Sequence, residues 1–226
     1  PQVREAIFGD SGLYEGMRKG QIFIDMSSID PMVSKDISKE LDKKDVIMLD
    51  APVSGGEAKA IDGTLAIMVG GPEKTFNKVQ SILKSMGSSV TLIGDIGSGN
   101  IAKLSNQIMV AANIAGMSEA MVLAKKAGVD PEKVFQAVRG GLAGSTVLES
   151  KMPKILKRDF KPGFRIELHI KDLNNVIDAA HTLGSPALLT SLIIEMMMNL
   201  RANNKQKDDH GGLIQFYEEL AKTIVE

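Results

Sequence analysis

The segment NIAKLSNQIMVAANIAGMSEAMVLAKKAG, residues 100–128, says most about the architecture of this chain. It contains no proline and ends at Gly128, and glycine commonly follows the last turn of a helix. At about 1.5 Å per residue it predicts a helix roughly 43 Å long, well above the usual length in globular proteins. Because such a helix often joins two domains, we expect the architecture to differ on its two sides.

The residues before this helix alternate between short apolar runs and amphipathic segments. Asp30 followed by Pro31 has the form of an N-cap and a first helical position. An order of strand, helix and strand is typical of an α/β layer. The predicted strands are 21–28, 46–55, 64–71 and 90–97, and the predicted helices are 30–44 and 73–87.

The residues after the long helix contain helical patterns and no convincing strand. We therefore predict two domains, an α/β part over residues 1–97 and an all-α part over residues 98–226, which starts with the helix at about 100–127. The polar stretch 201–212 is predicted to be the most mobile loop, with His210 in solvent. The further predicted helices are 131–139, 145–158, 171–183, 187–202 and 212–224.

Composition excludes several classes of function. The chain has 226 residues, 43% of them hydrophobic and 24% charged, with a net charge of −1, as in ordinary soluble proteins. Acidic and basic residues are interspersed, so no surface for nucleic acid is expected. No apolar run approaches the ~20 residues that cross a bilayer and no leader is visible, which favours a cytoplasmic protein without membrane contact.

Cysteine ligands and local histidine motifs for a metal are also missing from the sequence. The chain has no cysteine, which excludes disulfides, thiol catalysis and thiolate metal ligands. His169, His181 and His210 lie too far apart to form a local metal motif. We therefore expect no structural metal.

Lys103 is the first candidate for chemistry. It lies near the start of the long helix, where the partial positive charge of the helix end disfavours an ammonium group. Asn106 and Gln107 follow three and four residues later and can share its face, with Asn113 further along. One interpretation is an acid or base that points into a cleft. The alternative is a lysine that extends from a helix end into water.

The segment DAPVSGG, residues 50–56, is the second candidate. Ser54, Gly55 and Gly56 combine a hydroxyl with backbone N–H groups that no side chain covers, which suits the binding of a carboxylate. The alternative is a tight turn that happens to include a serine. Two weaker candidates follow. Ser145 could be a second anion contact, in a glycine-rich segment that otherwise serves mainly to end a helix. Lys171 lies beside Asp172 at a predicted helix start, and the alternative for it is an exposed lysine on a capped helix.

Four motifs occur in one order along the chain. They are D-x-S-S at residues 25–28, D-A-P-V-S-G-G at 50–56, G-x-G-x-x-x-K-x-x-N at 97–106 and F-x-x-x-x-x-x-K-D-L at 164–173. Over essentially the whole chain this order resembles the β-hydroxyacid dehydrogenase family. The resemblance implies a Rossmann-type domain, a long interdomain helix and a helical substrate and oligomerisation domain.

The resemblance also implies a reaction and a set of site residues. The expected reaction is reduction of tartronate semialdehyde (2-hydroxy-3-oxopropanoate) to D-glycerate with NAD or NADP, and the alternative is oxidation of 3-hydroxyisobutyrate or a related 3-hydroxyacid. The partner implied is a small carboxylate-bearing aldehyde or hydroxy acid. A homo-oligomer, as a dimer or tetramer, is expected on separate grounds, because the long helix is apolar over most of its surface and needs neighbours on several sides. The implied residues are Lys103 for catalysis, Ser54, Gly55 and Gly56 for the substrate carboxylate, Asn106 or Gln107 for orientation, and Ser28 and Lys171 for the cofactor.

One expected element is missing. The glycine-rich G-x-G-x-x-G turn that binds a dinucleotide, and the residue that selects NAD or NADP, do not occur in this sequence. The opening PQVREAIFG also lacks an initiator Met, so we expect an incomplete Rossmann-type domain without its first βαβ units, in a fragment that binds the dinucleotide weakly. A non-catalytic binding or assembly module, or an inactive truncated fragment, is the alternative from another class.

Overall fold

The computed structural model describes residues 2–226, which form two compact units. The division falls between Ser105 and Asn106, inside the long helix Ser98–Lys126. The domain boundary predicted from sequence, between residues 97 and 98, coincides with the start of that helix instead. The long helix itself is confirmed, two residues longer at its amino end than predicted.

The first unit is an α/β layer, as predicted. Its mixed sheet has five strands, of which β4 is the common neighbour of β2, β3 and β5. The short helices α1, α2 and α4 were not expected from the sequence. The elements are α1 Gln2–Phe8, α2 Leu13–Gly16, β1 Ile22–Asp25, α3 Pro31–Asp42, β2 Ile47–Asp50, β3 Val53–Ser54, α4 Gly56–Ile61, β4 Ala66–Gly70, α5 Glu73–Lys84, β5 Ser89–Gly94 and the start of α6 Ser98–Lys126.

The pairing of the strands brings two aspartates together. Strands β1 and β2 are parallel, and Asp25 is the partner of Asp50 at the carboxyl end of both. Strand β4 runs antiparallel to β2 and β3 and parallel to β5, and Gly70 is the partner of Asp50. Asp50 therefore lies in the middle of the sheet at the point where the strand direction changes.

Both faces of the sheet are buried. Met48 packs in one apolar cluster with Ile37 and Leu41 of α3, whereas its neighbour Leu49 packs in another with Phe76 of α5. Successive side chains of a strand point to opposite faces, so β2 is covered on both sides, as is usual in α/β proteins. The predicted cap of α3 is confirmed, because the Asp30 carboxylate accepts a hydrogen bond from the Met32 N–H at 2.8 Å.

The strand predicted over 46–55 is broken into β2 and β3. Pro52 lies at the break, and proline has no N–H with which to continue a ladder, although its carbonyl accepts a hydrogen bond from Met68 N at 3.0 Å. In a continuous strand Asp50 and Ser54 would point to the same face. Because of the break, Asp50 is completely buried while Ser54 is half-buried.

The second unit is helical, as predicted. Among residues 106–226, the β-type pairing is one isolated bridge between Arg165 and Asp209. The elements after α6 are α7 Pro131–Val138, α8 Thr146–Ile155, α9 Ile166–Leu183, α10 Leu188–Ala202, a 3₁₀ helix His210–Leu213 and α11 Ile214–Ala221.

Two expectations for this unit are wrong. Helix α9 begins at Ile166, so Lys171 lies in its second turn and not at a helix start. The end of the predicted mobile loop is buried, because Asp209 is 3% exposed and His210 is 7% exposed. The carboxylate of Asp209 and the His210 N–H both bond to the segment before α9, which draws this stretch into the core.

Helix α6 is long and apolar enough to cross a membrane by length and composition alone. Half of its most apolar stretch is buried within this chain, however, and core helices of soluble proteins share that character. The buried polar side chains of Asn100, Lys103, Gln107 and Ser118 lie along the same helix. These features fit a core helix.

Candidate active site

Lys103 lies in the second turn of α6 and is 7% exposed. Leu104 beside it is also buried, so the lysine is part of the packed side of the helix. The alternative of a lysine extended into water is therefore wrong. A buried ammonium group must be paired with polar groups. It can then act as a hydrogen-bond and proton donor in a site from which water is largely excluded.

The start of the lysine helix is held by Asp50. Its Oδ1 accepts a hydrogen bond from Gly97 N at 2.7 Å, and its Oδ2 accepts one from Asn100 N at 2.7 Å. Burial raises the pKa of the Asp50 carboxyl; the hydrogen bonds from Gly97 and Asn100 oppose this rise, and the nearby charge of Asp25 adds to it. The sequence analysis identified segment 50–56 as a candidate, but it did not predict that Asp50 holds the start of α6.

Asn100 extends the same group of contacts. Its Nδ2 donates to Ser34 Oγ at 3.1 Å, and its Oδ1 accepts a hydrogen bond from Ile29 N at 3.1 Å. Asp50, Asn100 and Ser34 are all completely buried. The first turn of α6 is thereby joined to the start of α3 and to the loop that follows Ser28.

The predicted carboxylate cradle lies at the end of β3. Gly55 has a φ of 139° and Gly56 a φ of 71°, a backbone region that side chains disfavour. A Cβ at Gly55 would also lie 2.8 Å from Cβ of Lys59. The Ser54 hydroxyl is half-buried and both glycines are exposed, so a small anion can approach this backbone.

The carboxyl ends of β1 and β2 offer a place for a nucleotide. Open α/β sheets bind their cofactors outside the carboxyl ends of parallel strands. Asp25 Oδ1 accepts a hydrogen bond from Ser27 N at 2.9 Å, while its buried Oδ2 has no hydrogen-bond partner among the described residues. Ser28 follows in this loop and is half-buried. These residues fit a polar ligand such as a dinucleotide.

In the second unit, Gln107 connects two helices. Its Nε2 donates to Asp172 Oδ2 of α9 at 2.7 Å, and its Oε1 accepts from Asn106 Nδ2 at 2.9 Å. Lys171 is exposed, and its Nζ forms an ion pair with Asp172 Oδ1 at 2.9 Å. Both polar atoms of the Gln107 amide are thus engaged inside this unit.

A buried polar cluster in the second unit was missed by the sequence analysis. The Nδ1 atoms of His169 and His210 are 3.0 Å apart, and the Phe164 ring packs edge-on against both imidazoles. The expectation of a solvated His210 is therefore wrong. The pair Asp209–His210, followed by two glycines, was the sequence signal that could have indicated a fixed turn.

Asp209 is the charged member of this cluster. Its carboxylate accepts hydrogen bonds from Lys151 Nζ at 2.8 and 3.0 Å and from the N–H groups of Gly163, Phe164 and Gly211. Burial opposes ionisation, but the charges of His210 and Lys151 and these hydrogen bonds outweigh it and hold the pKa of Asp209 below its usual value.

The second unit also contains a cavity of about 360 Å³ between α6 and the segment from α7 to α8. Small and apolar residues such as Gly116, Met117 and Leu148 line it, together with Asn113 and Ser145, which the sequence analysis had named. Ser145 borders the cavity, but its hydroxyl caps α8 by accepting a hydrogen bond from Leu148 N at 3.0 Å. The structure thus gives Ser145 a capping role, and the anion contact considered above stays a prediction.

Family profiles match both parts of the chain. Residues 1–94 match the NAD binding domain of 6-phosphogluconate dehydrogenase, and residues 97–217 match the NAD-binding region of NADP-dependent 3-hydroxyisobutyrate dehydrogenase. The chain belongs to the β-hydroxyacid dehydrogenase family. It is an NAD(P)-dependent 3-hydroxyacid dehydrogenase, an enzyme that uses a nicotinamide cofactor.

Individual relatives agree with this assignment. The chain is 42% identical to 2-hydroxy-3-oxopropionate reductase of Escherichia coli over 98% of its own length and 76% of that protein. It is 35% identical to the human mitochondrial 3-hydroxyisobutyrate dehydrogenase over 95% of its length and 66% of that protein. The crystal structure of 3-hydroxyisobutyrate dehydrogenase from Salmonella typhimurium superposes with a TM-score of 0.84 at 30% identity and covers 95% of this chain and 75% of that one.

Proposed function

We propose that the protein reduces tartronate semialdehyde to D-glycerate, with Lys103 as the proton donor. The observation that carries the proposal is the burial of Lys103 in the second turn of α6, in the same unit as the backbone cradle of Ser54, Gly55 and Gly56. The choice of aldehyde is supported by the 42% identity to the E. coli 2-hydroxy-3-oxopropionate reductase.

Lys103 performs the proton chemistry in this proposal. When bound, a nicotinamide dinucleotide supplies a hydride to the aldehyde carbon, or accepts one in the reverse direction. The Lys103 ammonium donates a hydrogen bond to the aldehyde oxygen and gives up its proton as negative charge develops there, so the products are an alcohol and a neutral amine. In the oxidation direction the neutral amine takes the hydroxyl proton.

The other predicted residues bind and orient. The Ser54 hydroxyl and the N–H groups of Gly55 and Gly56 hold the substrate carboxylate. Asn106 or Gln107 is proposed to orient a substrate oxygen; the two side chains are hydrogen-bonded to each other, and Gln107 also bonds to Asp172. Ser28 and Lys171 are proposed to contact the dinucleotide.

The second candidate function is oxidation of 3-hydroxyisobutyrate. It is favoured by the human relative at 35% identity and by the Salmonella typhimurium structure. The aldehyde formed from 3-hydroxyisobutyrate is methylmalonate semialdehyde. It differs from tartronate semialdehyde by little more than a methyl group in place of a hydroxyl. A pocket discriminates changes of this size by about 1–3 kcal/mol, so the choice between them requires measurement.

A comparison of three aldehydes tests the choice of substrate. We expect kcat/KM for tartronate semialdehyde to exceed that for methylmalonate and succinic semialdehydes by roughly 10–200-fold. The assay should use a form of the protein with demonstrated nicotinamide-nucleotide binding, with NADH and NADPH in parallel to measure the cofactor preference. A higher kcat/KM for methylmalonate semialdehyde would select the second candidate function.

We also propose that the protein forms a homo-oligomer through its helical unit. Leu188, Leu189 and Leu192 are exposed on α10, beside the exposed Leu183 of α9, and an apolar patch of this kind commonly marks an interface. We expect sedimentation as a dimer or tetramer at micromolar concentration, and a shift to monomer in the Leu188→Lys, Leu192→Lys variant. The exposed Ile82→Lys in the first unit is the control, and a wild-type monomer would exclude the proposal.

A further inference from the structure

We propose that Asp50 and Asn100 are positioning residues that set the place of Lys103 in the active site. We call this pair of side chains the Asp50–Asn100 clamp. The inference rests on the proposed function only in taking Lys103 as the proton donor. The contacts that carry it all lie in the first unit, among completely buried side chains.

The first step of the argument is the way in which α6 begins. The first N–H groups of a helix have no partner within it and need one from elsewhere. Here a single carboxylate at the end of β2 accepts from both Gly97 N and Asn100 N, each at 2.7 Å. A negative charge at this end of a helix is also favoured by the helix dipole. The position of the first turn is thereby tied to strand β2.

The second step is that close packing against Asp50 prevents the first turn of α6 from shifting relative to the sheet. A Cβ at Gly99 would lie 2.9 Å from Asp50 Oδ2 and would clash with the carbonyl oxygen of Met68. A Cβ at Gly70, on the neighbouring strand, would clash with Asp50 Oδ1 and lie 2.8 Å from Gly99 N. Helix, carboxylate and strand β4 therefore meet at backbone distance, which only glycine allows.

The third step is the link through Asn100. Its side chain donates to Ser34 Oγ at 3.1 Å and accepts from Ile29 N at 3.1 Å, so it joins α6 to α3 and to the loop after Ser28. Asn100 precedes Lys103 by three residues, and residues at this spacing are neighbours on a helix surface. The clamp thus fixes the helix one turn before the amine.

The size of the expected effect follows from geometry. A displacement of about 1 Å in a reacting group can lower a rate by about 10²-fold. Asp50→Asn keeps the shape of the side chain but replaces one acceptor oxygen with an NH₂ group that faces a backbone N–H. We therefore expect Asp50→Asn to lower kcat by about 10–100-fold, while KM changes much less because the cradle at Ser54 to Gly56 is left intact.

A double-mutant cycle decides whether Asp50 acts through Lys103. Asp50→Asn, Lys103→Ala and the double variant are compared for kcat and KM, with the exposed Asp42→Asn as control. If the proposal is right, the double variant is no slower than Lys103→Ala alone, because the clamp has nothing left to position. An equal fold-loss in both backgrounds, or an unchanged kcat in Asp50→Asn, would overturn it.

Two further readouts keep the test decisive. Hydrogen exchange on the protein without nucleotide should show faster exchange at the amides of Gly97 and Asn100 in Asp50→Asn, with β5 unchanged. If Asp50→Asn does not fold, Asn100→Ala takes its place in the cycle, with a smaller loss of kcat expected and the same non-additivity. A Lys103→Ala variant that keeps its rate would instead contradict the proposed function, and the hydrogen-exchange comparison alone would then test whether Asp50 holds the first turn of α6.

Discussion

Replacement of Lys103 by alanine is expected to lower kcat for aldehyde reduction by about 10²–10⁴-fold, the usual contribution of a positioned acid or base. The variant removes both the proton and the hydrogen bond to the oxygen on which negative charge develops. Because Lys103 is 7% exposed, bulk water cannot easily take over its role. Steady-state kinetics in a form of the protein that binds nicotinamide nucleotide measures the loss.

Two companion variants separate proton transfer from charge. Lys103→Arg keeps a positive group, but arginine stays protonated in proteins, so it can bind the substrate oxygen without giving up a proton. We expect it to remain slow. Lys126→Ala, an exposed position in the last turn of the same helix, should have the wild-type rate. A Lys103→Ala rate within threefold of wild type would remove the lysine from the mechanism.

Replacement of Asp209 by asparagine is expected to lower the free energy of unfolding by about 3–5 kcal/mol, the typical cost of breaking a buried ion pair by removing one partner. Lys151, 13% exposed in its side chain, would then be left without its carboxylate, and the N–H groups of Gly163, Phe164 and Gly211 would compete for fewer acceptor sites. Urea unfolding measures the loss, with the exposed Asp178→Asn as control.

The same residue gives a prediction for pH. The pKa of Asp209 is lowered in the folded protein, so the folded state binds this proton less readily than the unfolded state, whose pKa is about 3.9. The stability due to Asp209 is therefore fully present above about pH 4 and is lost as the pH falls through the lower folded pKa. The difference in unfolding free energy between wild type and Asp209→Asn should shrink as the pH falls below 4. A difference that grows in acid would contradict this assignment.

The fold could be predicted from the sequence because its signals are local. Helical periodicity and the Asp30–Pro31 cap lie within a few residues of the structure they specify, and the structure confirms the cap and the helix that follows it. The break at Pro52 could have been predicted as well, since proline cannot continue a ladder inside a sheet. The short helices α1 and α2 had no comparable start signal.

The contacts around the candidate site could not be predicted in the same way, because their partners are distant in the sequence. Asp50 meets Gly97 across 47 residues, and His210 meets His169 across 41. No period or spacing reports such pairs, so a buried, bonded His210 was mistaken for a loop residue in water. The motif order indicated the family through Lys103 and Ser54, but not that Asp50 holds the lysine helix.

The break between β2 and β3 has a consequence for how this family can diversify. Asp50 and Ser54 lie four residues apart, yet the interruption at Pro52 frees the orientation of one from that of the other. With Ser54 in the proposed carboxylate cradle, we expect its substitution to change substrate preference while Asp50 keeps its hydrogen bonds to Gly97 and Asn100. A one-residue deletion between Asp50 and Ser54 would instead displace both side chains, so we expect it to disturb the start of α6 and the proposed cradle together.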